Sequence, residues 1–418
     1  MPKKKSKEKL KANFFIWNFY QIVSRIYLKL KYHIKYNRKA FTSRNKKEGC
    51  IVLYNHSCNS DHFILTGMFR STRVRYVITR RFYYNLGVRK AVTLARGIFR
   101  DQFKNDTASI IKIKRTCEKG GIVSLAPAGQ ITIDGRMPYI NPIIVKLLKM
   151  CKVDVYTVQI SGSYLASPKW AKEKRSYPIS VKCVKTLTKE ELAYNDIDYC
   201  YNRIVKDLNI SDLDYQNQVM KKIKGKNLAK GIEDVFYICP CCGKKYTLKT
   251  EGNKIICSSC SNTVLYNEYG KLEGVGSNYV LMKDESVWYD YQKHLIMKQI
   301  LNNNYSLTSI VDLYTIQGKK ETIELAGHGT LTFNIDSLYY DGTYLNEVIH
   351  KEFNVNTIYQ LPFAPGERFN IPDDEEFYEF VPKNKRMVTE WVQAIDALNE
   401  LKVKGELNAN NNNESTKL

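Results

Sequence analysis

Cys50-Ile51-Val52-Leu53-Tyr54-Asn55-His56-Ser57-Cys58-Asn59-Ser60-Asp61-His62 is the stretch on which the reading of this chain turns. Five apolar residues follow the charged Arg44 to Glu48 and are broken by Asn-His-Ser, the pattern of a buried strand that runs into a loop or helix start. Side chains at such a strand end are held in place yet still reach a substrate. A histidine with a carboxylate five positions on can have one ring nitrogen held by that carboxylate while the other faces a hydroxyl. His56 and Asp61 therefore read as a general base and its orienting partner. His62 is given no role, because a core or capping histidine accounts for it equally well.

Further strand-like runs stand at 74–79, 121–125 and 153–160, in addition to 50–54. Helical stretches lie between them, such as Ala108 to Lys119 with Ile110, Ile111, Ile113 and Cys117. This alternation predicts an α/β layer with a largely parallel central sheet. Active groups in such sheets gather beyond the strand ends, which suits both Asn55 to Asp61 and Ala126 to Gln130. Gly129 fits a place where backbone approaches a ligand.

With these residues in view, the chain resembles the glycerolipid (lysophosphatidic-acid type) acyltransferase family over roughly residues 10 to 190. The family's first motif, NHxxxxD, is matched by Asn55, His56 and Asp61. Its second, a glycine followed by Ile-Phe-x-x-Arg, is similar to Gly97-Ile98-Phe99-Arg100-Asp101-Gln102, with Gln102 where the arginine would stand. Its third, Pro-Glu-Gly-Thr-Arg-Ser, is similar to Pro127-Ala128-Gly129-Gln130-Ile131-Thr132, without the glutamate and the arginine and with Gly135 downstream. The fourth is echoed by Val155 to Gly162, without its proline.

The resemblance implies transfer of a fatty acyl group from acyl-CoA or acyl-carrier protein to a hydroxyl of a lysophospholipid or glycerolipid acceptor in phospholipid synthesis. His56 would take the hydroxyl proton, Asp61 would hold the imidazole, and Asn55 would brace the loop; Ser57 and Cys58 need not be nucleophiles. Gly97, Phe99, Pro127 and Gly129 would line the substrate site. Guanidinium groups suit phosphate because they donate paired hydrogen bonds, and Arg100 and Arg136 are the residues that could replace the missing arginines.

Charge and cysteine usage set the surroundings. The chain has 418 residues and a formal charge of +23, and residues 1 to 50 hold fifteen Lys/Arg against two Glu. Residues 12 to 30 are aromatic and apolar but interrupted by Arg25 and Lys29, so they fall short of the roughly 20 apolar residues that span a bilayer. Phe15, Phe19, Ile22, Ile26 and Leu30 recur at helical spacing. A helix lying in the interface of an anionic membrane is expected over this segment. Eleven cysteines without a secretory signal read as reduced thiols plus a metal site. The expected location is cytoplasmic, peripheral on the inner membrane face.

The metal site is Cys239-Pro240-Cys241-Cys242 with Cys257-Ser258-Ser259-Cys260, two C-x2-C knuckles joined by a run of hairpin character at Gly252-Asn253. Cys239, Cys242, Cys257 and Cys260 can close a tetrahedral structural zinc, since four thiolates leave no open position. Zinc ribbons also bind nucleic acid, but residues 239–270 carry four Lys against two Glu, too little charge for a phosphate-binding module. A nucleic-acid-binding ribbon protein and a catalytically idle lipid-binding relative are the competing readings.

Beyond the ribbon, Ser286 to Leu301 predicts a helix with Trp288, Tyr291, Leu295 and Ile300 inward. Short alternating runs over 308–381 and a helix at Arg386 to Leu401 centred on Trp391 are similar in architecture to a pleckstrin-homology barrel. Residues 321–401 carry five Lys/Arg against fifteen Asp/Glu, which argues against phosphoinositide binding. The expected organisation is a basic amphipathic segment (1–45), an α/β acyltransferase domain (46–190), a helical connector (191–236), a small zinc ribbon (237–272), a β-rich barrel-like domain with its flanking helices (273–404) and a disordered tail (405–418).

Overall fold

The computed structural model describes residues 13–104, 106–277 and 279–407. Residues 1–12 of the basic segment and 408–418 of the expected tail lie outside them. The chain forms two units: one holds residues up to Pro168 together with Ser176–Lys221, the other holds Lys169–Arg175 and everything from Lys222.

The first unit is built on seven strands, β1 (His33–Asn37), β2 (Cys50–Tyr54), β3 (Val74–Thr79), β4 (Ile98–Arg100), β5 (Ile122–Leu125), β6 (Asp154–Ser161) and β7 (Pro178–Leu187). Their order is β1-β7-β6-β2-β5-β3-β4. Strands β6, β2, β5, β3 and β4 run parallel, while β7 is antiparallel to β6 and carries β1 parallel to itself. All five residues of β2 are buried, as a central strand covered on both faces must be. The expected largely parallel α/β sheet is therefore present.

Helices cover both faces. On one, Ile51, Leu53, Val123, Leu125 and Val155 pack with residues of α4 (Thr107–Glu118), α5 (Ile143–Cys151) and α6 (Ile197–Leu208). On the other, α2 (Asp61–Phe69) and α1 (Phe14–Lys31) stack, with Trp17 Nε1 donating to the Arg70 carbonyl and Gln21 Nε2 to that of Thr66. α3 (Leu86–Ala95) links β3 to β4, and α7 (Asp212–Val219) follows α6. The chain leaves β2 toward β3 but leaves the neighbouring β5 toward β6, in the opposite direction. That divergence is a topological switch point, the place past the ends of β2 and β5 where sheets of this kind bind ligands.

The second unit contains a four-stranded antiparallel sheet, β8 (Leu248–Glu251), β9 (Lys254–Cys257), β10 (Thr263–Tyr266) and β11 (Leu272–Gly274). Gly252, at a φ of 61°, makes the β8–β9 turn. After α8 (Glu285–Leu301) comes an antiparallel sheet of β12 (Ser306–Gln317), β13 (Thr322–Asn334), β14 (Leu338–Tyr344), β15 (Glu347–Phe353), β16 (Phe363–Ala364), β17 (Arg368–Ile371) and β18 (Tyr378–Pro382). Its order is β15-β14-β13-β12-β18-β17-β16, and α9 (Met387–Lys404) lays Val388, Trp391, Ile395 and Leu398 into its core. α8 buries Trp288 and Ile300 as its apolar spacing predicts, but not Tyr291 and Leu295. Gln292 is fully buried while Tyr291 and Leu295 are only half-buried. The reason is polar: Gln292 accepts from the Tyr237 and Ile238 N–H groups and donates to the Val235 carbonyl, bonds that a hydrophobic pattern cannot reveal.

Candidate active site

β2 ends at Tyr54, and the next residue fastens the loop. Asn55 mimics a backbone unit, donating to the Ile160 carbonyl at 2.7 Å and accepting the Ile160 N–H at 2.8 Å. It also donates to Ser57 Oγ at 3.0 Å. This clamps the start of the loop to the neighbouring strand β6 and fixes where His56 begins.

His56 Nδ1 lies 2.8 Å from Asp61 Oδ2. Asp61 is the first residue of α2 and is completely buried. Its Oδ2 also accepts the backbone N–H groups of Ser57 at 2.6 Å and Cys58 at 3.0 Å, while Oδ1 accepts the Cys58 thiol at 3.2 Å. An oxygen receiving that many donors beside a helix N-terminus is a carboxylate acceptor. The proton between the two side chains therefore belongs to Nδ1, which leaves Nε2 with a free lone pair. The imidazole is about a quarter exposed, so the ring is not sealed off from solvent. Burial and the Asp61 charge hold the Cys58 thiol well above its ordinary range, which suits a structural donor and not a nucleophile.

The other sequence-selected residues lie on loops around this pair. The loop after β5 meets His56 directly, since the Thr132 N–H donates to the His56 carbonyl at 2.9 Å. Pro127 and Gly129 form its turn, with Gly129 at a φ of 72° and its N–H on the Ala126 carbonyl. Gln102, in the family's arginine position, bridges Thr79 to the Gly129 carbonyl. Gly97 opens β4, where an added Cβ would meet Val92 Cγ1 at 2.7 Å. The Phe99 ring sits edge-on against Tyr83.

The two candidate cations differ. Arg136 is ion-paired with Asp134. Arg100 is half-buried at the end of β4, and its guanidinium has no hydrogen bond or ion pair among the described residues. Burial lowers its pKa, partly offset by the charge of Asp106. Nearby, Arg80 occupies both carboxylates of this corner, Asp101 at 2.7 Å and Asp106 at 3.4 Å.

Two supporting residues have no sequence signal. Asp212, fully buried at the start of α7, accepts the N–H groups of Gly162 and Tyr164, and its own N–H donates to the Gly135 carbonyl. It thus ties the loop after β5 to the end of β6. Asp106 caps α4 through the Ser109 N–H at 2.9 Å and also accepts the Asp101 N–H.

In the second unit, the sulfur atoms of Cys239, Cys242, Cys257 and Cys260 all lie within 4.8 Å of one another. The Cys239–Cys260 and Cys242–Cys257 separations are 3.7 and 3.8 Å. Four sulfurs about 2.3 Å from a tetrahedral zinc stand about 3.8 Å apart, so the donor set and its spacing fit that ion. Each knuckle closes on itself, Gly243 N–H to the Cys239 carbonyl and Ser261 N–H to that of Cys257, both at 2.9 Å. Cys241 is exposed and outside the cluster.

No curated protein matches this chain. Among solved structures it is similar to the 1-acyl-sn-glycerophosphate (LPA) acyltransferase PlsC of Thermotoga maritima, with 15% identity and a TM-score of 0.37 over 46% of this chain and 78% of that one. It is also similar to the Dm DCP1 EVH1 domain, solved in complex with the XRN1 DBM peptide, with 13% identity and a TM-score of 0.18 over 30% of this chain and 98% of that domain. The residues from just before β1 to the end of β6 match a family model whose description is Acyltransferase. The match covers residues 29–161, about a third of the chain, and the His56–Asp61 pair lies inside it.

Proposed function

We propose that the protein is an O-acyltransferase that moves a fatty acyl group from a thioester donor, acyl-CoA or acyl-carrier protein, to a hydroxyl of a lysophospholipid-like acceptor. The observation that carries this is the 2.8 Å contact between His56 Nδ1 and Asp61, which leaves Nε2 as a base at a strand end inside the residues that match the Acyltransferase family model. Nε2 takes the acceptor hydroxyl proton as the oxygen attacks the thioester carbonyl carbon. The C–S bond then breaks, and the departing thiolate recovers the proton from the imidazolium, giving an ester and a free thiol. A base placed this way contributes about 10² to 10⁴ in rate. The half-buried Arg100 is the cation best placed for an acceptor phosphate, because Arg136 is already engaged by Asp134.

The remaining parts fit a protein that works at a lipid surface. α1 packs Trp17, Gln21, Ser24 and Leu28 inward and turns Phe15, Phe19, Ile22, Ile26 and Leu30 outward, each more than half exposed. No helix among the described residues is long and apolar enough to cross a membrane. Such a face fits peripheral attachment to an anionic membrane, which we place on the cytoplasmic side. The four cysteines would hold a structural zinc, and the antiparallel sheet with α9 is read as a pleckstrin-homology-like domain.

Mass spectrometry of membrane lipids from cells expressing the wild type, the His56→Ala form or neither tests the catalytic reading. A new acylated species in the wild type alone is expected; the same species with His56→Ala would overturn it.

A further inference from the structure

Residues 70–119 hold fourteen Lys/Arg against three Asp/Glu, a second basic block apart from the N-terminal one. Part of it converges on a pocket of about 370 Å³ beside β3 and β4, within the size range of small-ligand sites. Arg75, Arg96 and Lys112 supply three cations to its wall, Tyr83 and Phe99 supply two aromatic rings, and no carboxylate among the described residues lines it. Arg75 is only 5% exposed, and its guanidinium is aimed by the Arg96 carbonyl at 2.7 Å and Thr116 Oγ1 at 2.8 Å. Gly97 leaves room at the floor, because a side chain there would collide with Val92.

We propose that this pocket binds the nucleotide end of the acyl donor, a nucleoside carrying phosphate groups. Phosphates match the three cations, and the edge-on Tyr83–Phe99 pair offers a base an aromatic surface beside them. The inference rests on the acyltransferase reading and names where its donor sits. Strand register supports the placement. Arg75 pairs with Val123, which pairs with Ile51. His56 is five residues past that level, roughly 17 Å farther along the sheet. A donor whose phosphates are joined to the thioester by a long flexible arm spans such a gap, whereas the acceptor cation Arg100 lies at the opposite end of β4 from Gly97. An acidic carrier protein would instead need an open convex basic face.

Isothermal titration of the full-length protein with adenosine 3′,5′-bisphosphate tests this. Lys112 is exposed on α4, so Lys112→Glu keeps the fold, verified by its melting curve. Wild-type binding weakened by about tenfold or more in Lys112→Glu and in Arg96→Gln is expected, which is about 1.4 kcal/mol or more. His56→Ala should bind as the wild type does. Absence of nucleotide binding, equal binding by both pocket variants, or binding of an acidic carrier protein in place of the nucleotide would overturn the assignment. Transfer activity in His56→Ala would sink the catalytic reading while leaving the titration result as it stands, so the two failures are separable.

Discussion

The side-chain amide of Gln102 donates to the Gly129 carbonyl while its Oε1 accepts from Thr79 at 2.7 Å, joining the loop after β4 to the turn after β5. Where the family pattern has a cation, this chain has a neutral strap. Gln102→Ala should cost about 1 kcal/mol of stability through the lost hydrogen bonds. It should raise the acceptor KM more than it lowers kcat, because the Gly129 turn loses its anchor. Thermal melts together with acceptor-dependence curves check this; an unchanged KM would show that the strap has no part in positioning.

Asp61→Asn tests the orienting carboxylate. Oδ2 receives His56 Nδ1 and two backbone N–H groups, and an asparagine cannot satisfy all of them while keeping the same imidazole tautomer. Turnover should fall by about 10² to 10⁴, and the His56→Ala, Asp61→Asn double variant should be little worse than either single one. Additive losses in single-turnover assays would mean that the residues do not act as one unit.

Asp106 supplies a pH signature. Burial works against its ionisation, yet the Ser109 and Asp101 N–H groups and Arg80 outweigh that cost and leave its pKa below the ordinary carboxylate value. A carboxylate whose pKa is depressed by folding contributes stability above its unfolded pKa of about 3.9, and this is lost as pH falls below it. Asp106→Ala should cost about 1 to 2 kcal/mol near neutral pH through the lost helix cap. The difference from wild type should shrink between about pH 5 and pH 3. Parallel Tm-against-pH curves that keep a constant gap would contradict this.

Metal analysis of the purified protein should find zinc in stoichiometric amount, and a chelator should lower the melting temperature. Cys257→Ser should lose both the metal and the stability, because it removes a buried member of the sulfur cluster. Cys241→Ser should keep both, because Cys241 is exposed and outside the cluster. Loss of metal in Cys241→Ser would reassign the ligand set.

The outward face of α1 predicts vesicle binding. Phe15 and Phe19 are 79% and 67% exposed, and burying each in a lipid interface is worth about 1.5 to 3 kcal/mol. Phe15→Glu with Phe19→Glu should remove most of the protein from floated anionic vesicles without lowering the Tm. Full flotation of that variant would place the attachment elsewhere.

Local pattern made much of the domain legible. Strand-like runs marked β2 and β3 to their ends, and β5 and β6 to within one residue of each end. β1, β4 and β7 were hidden for separate physical reasons. His33–Asn37 alternates exposed and half-buried positions at a sheet edge, and so lacks an apolar run. Ile98–Arg100 has only three residues, and Pro178–Leu187 carries three lysines or polar residues on its outward side. The His56–Asp61 pair was readable because both partners sit within one turn of each other along the chain.

What the sequence by itself determined is therefore local: a strand followed by a histidine and a carboxylate at fixed spacing, two cysteine knuckles, and an amphipathic first helix. Only the tertiary structure decided what surrounds them. Asn55 meets Ile160 across 105 residues, Gln102 meets Gly129 across 27, and Arg136 is held by Asp134 whereas Arg100 is not. Contacts of that kind depend on strand order and register, which arise from how the whole sheet buries its two faces and leave no periodic trace in the chain.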